Sequence, residues 1–495
     1  MSFNSLQFLI FFPIVALIFY ILPKKVRYIW LLVASYYFYM CWNVAYAGLI
    51  AISTVVTFGS GLLLEKFNED TGKKKLVVAG SFTINLGILF FFKYLDFFFE
   101  NINSLLGIMK VRPINNGLDL LLPVGISFYT FQALSYTMDV YRGEVKAMKN
   151  PFKYALFVSF FPQLVAGPIE RSKNLLTQIE TLPERKSWNY ERVLSGIYQM
   201  AFGMFMKMVI ADRVAIFVDG VYSRLHYAGT FETVFAALGF SLQIYCDFAG
   251  YSAIAIGAAR ILGFDLMENF NTPYFAGSIG EFWRRWHISL STWFKDYLYI
   301  PLGGNRKGKL RKYINLMIVF LVSGLWHGAS WTFVIWGGIH GLLQVIEDVI
   351  LPRLNALYEK FGINTKTESF KLFRMIKTGI LVTLAWVFFK ADSLSQAIKF
   401  LTRMFTKWNP WVIFDGTFFK YGINQIEFRI LIIGVVILLL ADLIRYFKKE
   451  DIGVFIGRQN FLFRWIVLLT LIFMCIVFGK YGADFDSAEF IYFKF

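Results

Sequence analysis

The chain has 495 residues, of which 57% are hydrophobic, 19% aromatic and 17% charged, and its mean hydropathy is +0.54. This composition excludes an ordinary soluble domain and indicates an integral membrane protein. The formal net charge of +17 at pH 7 is explained by basic cytosolic loops beside anionic lipid head groups, so it does not require a nucleic-acid partner.

The predicted elements are membrane-spanning helices. Residues 6–22 lack the basic start and small-residue cleavage site of a signal peptide, so we interpret them as the first span. Further apolar runs of about the bilayer-spanning length lie at residues 28–42, 46–64, 76–92, 118–138, 152–166, 193–221, 234–262, 313–325, 331–350, 376–389, 430–444 and 462–478. Several runs are short or polar, and 152–166 contains Pro162 with basic residues on both sides. We expect an all-α polytopic protein with about eleven spans and one or two re-entrant segments.

Short basic loops set the predicted orientation. Lys24, Lys25 and Arg27 follow the first span, and residues 73–75, all lysine, follow the third. Such loops resist translocation, so both are predicted to be cytosolic and the N-terminus to lie outside. The basic loop at residues 306–312 is predicted to be cytosolic as well.

This orientation can be tested by labelling. After replacement of the three native cysteines, single cysteines at residues 73–75 or 306–312 should be shielded from membrane-impermeant thiol reagents in intact cells, whereas Ser2→Cys should be labelled. Labelling of either basic loop from outside would overturn the orientation.

Several classes of chemistry have no signal in the sequence. Cys41, Cys246 and Cys475 are widely separated within apolar runs, without metal-ligand or disulfide spacing, and are predicted to pack in the core. No metal site is expected. No P-loop, dinucleotide fingerprint, HExxH or GxSxG pattern is present, which argues against a nucleotide-driven pump. No internal repeat is evident, which counts against a secondary transporter.

Two histidines are the first candidates for chemistry. His327, in Trp326-His327-Gly328, lies inside the apolar run 313–335, where a polar side chain is costly to bury unless it has a partner or a task. His287 lies in the dense stretch at 281–306, and each histidine is about fifteen residues from the basic loop 303–312. If both flanks are helical, the two histidines lie at similar depth near mid-bilayer. The alternative is that they are core histidines with satisfied hydrogen bonds.

The other two histidines are interpreted differently. His340 is predicted to lie near the opposite end of the next helix, in a structural role. His226 is predicted to lie in a loop.

Long motifs then show a resemblance. The segments FWRRWHISLSTWFKDYLYIPLGGNR (282–306) and SGLWHGASWTFVIWGGIHG (323–341) resemble the membrane-bound O-acyltransferase superfamily, and within it the bacterial alginate O-acetyltransferase branch. Further matching segments lie at residues 121–144, 160–171, 246–264, 267–274 and 490–495, so the resemblance covers essentially the whole chain. Ala253 departs from the pattern, because relatives usually carry an acidic residue there.

The resemblance implies a fold, an activity and partners. It implies one membrane domain over residues 1–495, with a catalytic core at about 118–350 and peripheral helices at 1–117 and 351–495. The implied activity moves an acyl group, expected to be acetyl, from a cytosolic thioester such as acetyl-CoA across the membrane for O-acetylation of a secreted or cell-surface polysaccharide. No tightly bound cofactor is expected. The implied partners are the bilayer and the polysaccharide or an extracytoplasmic lipase-like acetyltransferase, and the implied location is the bacterial cell membrane.

The resemblance also assigns roles to residues. His327 matches the catalytic histidine of the superfamily, and His287 matches its second conserved polar position. Around them, the predicted substrate-binding residues are Arg284, Arg285, Trp286, Lys295, Arg306, Trp326, Asp247 and Tyr251. Basic side chains suit the phosphates of a thioester donor, although the arginines could instead pair with nearby carboxylates. Asp247 and Tyr251, one helical turn apart, could line a tunnel or form a hydrogen bond that stabilises the fold.

Two other functions stay open from sequence alone. One is D-alanyl transfer to teichoic acid, a reaction of the same class. The other is a transporter or flippase in which the histidines form a proton relay.

Overall fold

The all-helical architecture is confirmed by a computed structural model that describes residues 1–114, 117, 121–165, 167–185 and 188–481. Every regular element in these residues is a helix. The predicted runs at 118–138 and 152–166 are described except for residues 118–120 and 166, and the motif at 490–495 lies outside the described residues.

The α-helices vary widely in length. The first twelve are α1 (Leu6–Ile21), α2 (Arg27–Met40), α3 (Val44–Lys66), α4 (Thr71–Leu89), α5 (Leu95–Ile108), α6 (Ile126–Tyr141), α7 (Pro151–Ser159), α8 (Phe161–Leu164), α9 (Thr177–Glu180), α10 (Tyr190–Phe205), α11 (Asp212–Ser223) and α12 (Thr230–Ile261). They are followed by α13 (Ile279–Arg285), α14 (Ile288–Phe294), α15 (Gly308–His327), α16 (Trp331–Lys360), α17 (Glu368–Lys390), α18 (Leu394–Thr406), α19 (Gln425–Lys448), α20 (Ile452–Gly457) and α21 (Phe461–Phe478). Short π-helical segments lie at Phe90–Tyr94, Ser172–Leu176, Met206–Ala211 and Lys295–Tyr299.

Seven helical segments of the described chain are long and apolar enough to cross a membrane: α3, α4 with α5, α12, α16, α17, α19 and α21. The protein is therefore a multi-pass membrane protein. The prediction of about eleven spans exceeds this number because several apolar runs form shorter helices, such as α2 with 14 residues and α6 with 16. The proline-containing run at 152–166 forms the short helices α7 and α8, with Pro162 in the first turn of α8. That this run is re-entrant stays a prediction.

The chain divides into two compact units. One comprises residues 1–197 and 255–267, and the other comprises residues 198–254 and 268–495. All four histidines lie in the second unit, so the candidate site is described within that unit alone. The single domain with a core at about 118–350 stays a prediction.

Two expectations about individual residues can be checked at this level. His226 lies exposed in the turn after α11, as predicted. Cys246 is buried, but Cys41 is exposed, so the prediction that all three cysteines pack in the core was wrong for Cys41.

Candidate active site

Helix α15 carries His327 as its last residue. The apolar run that looked continuous from 313 to 335 is broken, because Gly328 takes an extended conformation and the Ser330 side chain accepts a hydrogen bond from the Thr332 backbone N–H at the start of α16. His327 therefore lies at a buried helix end rather than in mid-helix, with 2% of its surface exposed.

Glycines let the backbones of α15 and α16 touch beside His327. A Cβ added to Gly324 would come within 2.3 Å of the Phe333 carbonyl oxygen, and one added to Gly337 would come within 2.2 Å of the Phe320 carbonyl oxygen. Small residues at these positions allow the close approach that packs membrane helices. This contact fixes the position of the last turn of α15.

His287 is held in an uncommon backbone conformation. It precedes α14 with φ 43° and ψ 53°, the left-handed region, which costs a residue with a side chain roughly 1–3 kcal/mol. Asn269 holds the neighbouring residues: its carbonyl oxygen accepts from Ile288 N–H at 2.9 Å, and its side-chain oxygen accepts from the Ser289 hydroxyl at 2.6 Å. The Asn269 amide in turn donates to Ser252 on α12 at 2.9 Å. Strain of this kind is retained where the surrounding structure compensates for it, often at functional sites.

The two histidines lie side by side. Their ring centroids are 6.1 Å apart, and the Trp326 ring lies 6.0 Å from His287 and 5.0 Å from His327. Phe248 of α12 packs edge-on against His287 at 4.6 Å. His287 is fully buried. The sequence prediction that residues 287 and 327 meet is confirmed, although α14 has only seven residues.

A cavity of about 460 Å³ approaches the histidine pair. Its wall includes Ser291, four residues after His287, and Ser323, four residues before His327. Four residues correspond to one helical turn, or about 6 Å along the axis. The cavity wall therefore reaches within about one turn of each histidine along the chain, although neither histidine lines it.

The rest of the cavity wall is rich in cationic side chains. Arg284, Lys295, Lys312 and Arg374 line it, together with two carboxylates. Each carboxylate is already paired: Asp348 lies 2.8 Å from the Lys312 ammonium, and Glu347 lies 3.3 Å from that of Lys377. Arg284, Lys295 and Arg374 form no ion pair within the described residues. The cavity thus carries positive charge that an anionic ligand would neutralise.

The sequence as a whole matches a known family. Residues 126–378 match the family model described as MBOAT, membrane-bound O-acyltransferase family. A probable alginate O-acetylase of Azotobacter vinelandii is 35% identical over 93% of this chain and 88% of its own length. A peptidoglycan O-acetyltransferase of Helicobacter pylori is 36% identical over 76% of this chain and 73% of its own length. A teichoic acid D-alanyltransferase of Bacillus subtilis is 28% identical over 45% of this chain and 58% of its own length.

The chain belongs to the membrane-bound O-acyltransferase family. The matched region contains all the site residues described above, from Phe248 to Lys377. The protein is therefore an O-acyltransferase, and this finding favours the enzyme over the transporter or flippase. The specific roles of its histidines stay predictions.

The predicted substrate-binding residues separate into two groups. Arg284 and Lys295 line the cavity, and Trp326 contacts both histidines. Arg285 instead pairs with Glu281 at 2.9 Å. Trp286 packs among aromatic rings, Arg306 lies exposed in the turn before α15, and neither lines the cavity.

Asp247 and Tyr251 lie in a separate polar cluster. The Lys207 ammonium lies 2.7 Å from Asp247 and 2.8 Å from Asp212, and all three side chains are almost fully buried. The same ammonium lies 5.8 Å from the centroid of the Tyr251 ring. Neither Asp247 nor Tyr251 lines the cavity, and Asp247 forms an ion pair with Lys207. The predicted roles of Asp247 and Tyr251, a tunnel lining or a hydrogen bond that stabilises the fold, stay predictions.

Sequence reasoning placed one histidine wrongly and missed two site residues. His340 lies in the first third of α16, with its ring 5.2 Å from that of Trp336, which in turn lies 5.0 Å from His327. It therefore belongs to the same cluster rather than to the opposite end of the helix. Asn269 lies in the matching segment at 267–274, but no role was predicted for it. No sequence motif marked Arg374 as a site residue.

The arrangement suits acyl transfer. A thioester and a hydroxyl react when a base takes the hydroxyl proton and water is excluded. Both histidines are buried, and an imidazole has a proton affinity suited to this exchange near neutral pH. The cationic cavity reaches Ser291 and Ser323 near them and suits a donor with anionic groups.

Proposed function

We propose that this acyltransferase takes an acyl group, expected to be acetyl, from a thioester on the cytosolic side and passes it across the membrane for O-acetylation of a polysaccharide. The observation that carries the proposal is the cationic cavity whose wall reaches within about one turn of His287 and His327 along the chain. In this function His327 is the general base, and His287 positions the acyl group or assists proton transfer.

The donor side is supported by charge. Lys312 lines the cavity and lies near the start of α15, in the basic segment 306–312 that the basic-loop bias predicts to be cytosolic. Acetyl-CoA and carrier-bound acyl thioesters both carry phosphates, which Arg284, Lys295 and Arg374 suit. The donor is a substrate, and no tightly bound cofactor is invoked.

The acceptor is supported by the relatives. The names of the Azotobacter and Helicobacter proteins state that they acetylate alginate and peptidoglycan, and both are glycan polymers. We infer a glycan acceptor outside the bacterial cell membrane, reached directly or through an extracytoplasmic lipase-like acetyltransferase. D-alanyl transfer to teichoic acid is less well supported, because the relative named for it is less similar and matches less than half of this chain.

The first test measures turnover of an acyl thioester without a gradient across a membrane. Purified protein in nanodiscs should hydrolyse labelled acetyl-CoA slowly, and should transfer the acetyl group when its glycan acceptor or partner is added. A transporter would need a sealed vesicle and a gradient and would not consume the thioester. Absence of both binding and turnover of acyl thioesters, with gradient-driven flux present, would overturn the proposal.

The same assay tests the cavity. Arg374→Gln should raise the KM for the thioester about 10-fold while kcat stays within about twofold, because a phosphate contact is made equally in the ground state and the transition state. Lys371→Gln is the matched control on the same helix, since Lys371 is paired with Glu368 and does not line the cavity. Equal KM values for the two variants would place the donor elsewhere.

A further inference from the structure

His340 and Trp336 form a second layer of aromatic rings beside the histidine pair, and each carries a ring nitrogen that can donate a hydrogen bond. His340 is fully buried, and Trp336 is 1% exposed. Rings at successive spacings of 5–6 Å join His327 to Trp336, Trp336 to His340, and His340 to Trp283, which lines the cavity. This layer therefore lies between the histidine pair and the cavity wall.

The hydrogen bond to His340 sets its tautomer. The Trp283 indole N–H donates to His340 Nδ1 at 3.3 Å, and an indole nitrogen can only donate. A neutral imidazole that accepts at Nδ1 must carry its proton on Nε2. His340 thus presents an N–H group at Nε2.

Both ring nitrogens lack a hydrogen-bond acceptor within the described part of the chain. His340 Nε2 and the Trp336 indole nitrogen are buried and make no hydrogen bond within the described residues. The Trp386 indole nitrogen is likewise buried without a hydrogen bond within the described residues, whereas the Trp336 ring lies 5.0 Å from that of His327. Buried donors are nearly always paired, so unpaired ones beside the histidine pair need an explanation. Packing alone does not supply one, because phenylalanine would fill the position of Trp336 without burying an N–H group. A substrate oxygen that accepts hydrogen bonds from these donors supplies the explanation.

We propose that Trp336 Nε1–H and His340 Nε2–H bind the carbonyl oxygen of the acyl group during transfer. The inference rests on the proposed function, because it needs an acyl thioester beside His327. Preorganised N–H donors in a site without water stabilise the charge that develops on a carbonyl oxygen.

The step balances within the site. The acceptor hydroxyl oxygen forms a bond to the carbonyl carbon, its proton passes to His327, and the carbonyl electron pair moves to the oxygen held by the two N–H groups. The carbonyl then re-forms, the carbon–sulfur bond breaks, and His327 returns the proton to the departing thiolate. No oxidant, reductant or additional reactant is consumed.

Variants at position 340 separate the two nitrogens. Glutamine places an amide N–H near the position of His340 Nε2, whereas asparagine places an amide oxygen near Nδ1, where it can still accept from Trp283. If Nε2–H binds the substrate, His340→Gln should keep kcat within about threefold, and His340→Asn should lower it about 10-fold or more at unchanged KM for acetyl-CoA. The opposite order would show that His340 only holds Trp283, and would overturn the inference.

Trp336→Phe tests the other donor. It keeps most of the ring and removes the N–H, so kcat for acetyl transfer should fall about 10-fold while KM for acetyl-CoA is unchanged. Trp386→Phe is the matched control, since Trp386 is fully buried, stacks on Trp336 at 5.4 Å and also buries an indole N–H without a hydrogen bond within the described residues. It therefore removes the same atoms outside the proposed contact with the substrate. Equal losses in both variants would show a packing effect and overturn the inference.

Failure of this inference can be told apart from failure of the proposed function. Wild-type protein that turns over acetyl-CoA, with full kcat in His340→Asn and Trp336→Phe, would overturn the donor pair alone. Wild-type protein that neither binds nor consumes acyl thioesters would overturn both.

Discussion

Replacing His327 by alanine is expected to lower acyl transfer by about 100-fold or more. The imidazole is the base candidate at the end of α15, 2% exposed and 6.1 Å from the ring of His287. General-base catalysis by a positioned side chain contributes about 10²–10⁴-fold. The initial rate of acetyl transfer, measured on purified protein in nanodiscs, gives the loss directly.

Two controls make this result interpretable. His226→Ala removes an exposed histidine from the turn after α11 and should leave the rate within about twofold. Size-exclusion profiles and thermal midpoints of the two variants should match the wild type closely, because removal of the His327 side chain leaves only a small cavity at a helix end. A folded His327→Ala protein with near-normal transfer would remove His327 from the mechanism.

The meeting of the two histidines was predictable because it depended on local features. His327 interrupts an apolar run, His287 lies in the dense stretch at 281–306, and each lies about fifteen residues from one basic loop. Chain length along two flanking segments was enough to place them at similar depth. The actual geometry differs in detail, since His287 lies in the left-handed region and Asn269 holds that turn through residues 288 and 289. Hydrogen bonds of this kind have no periodic signal in a sequence.

Other parts of the site could not be predicted from the sequence, for two physical reasons. Hydropathy averages over a window, so it joined residues 313–335 into one run and did not register the break at Gly328 that turns α16 back along α15. That break is why His340 lies close to His327. Arg374 comes from α17, and only the folded chain brings it to the same cavity as Arg284. The ion pair of Asp247 was not predicted because its partner, Lys207, is forty residues away in sequence.

The second large effect is expected at a glycine that never touches substrate. Gly337→Ala should lower acyl transfer about 100-fold, because the new Cβ would lie 2.2 Å from the Phe320 carbonyl oxygen and 3.1 Å from the Gly324 Cα. Backbone atoms cannot rotate away, so α16 must move relative to α15. Overpacking of this kind costs about 1–3 kcal/mol of stability. A displacement of about 1 Å at a reacting group can cost about 100-fold in rate.

The neighbouring glycine provides the control for this displacement. Gly338→Ala adds the same methyl group to the same helix, but its Cβ would meet only the end of the Leu321 side chain, at an ordinary contact distance of 3.4 Å. It should leave both the rate and the thermal midpoint close to wild type, whereas Gly337→Ala lowers both. If the two variants behave alike, the close contact of α15 with α16 does not set the position of His327. A loss of rate in Gly337→Ala without any loss of thermal stability would instead mean that α16 shifts at no energetic cost, contrary to the backbone contact described here.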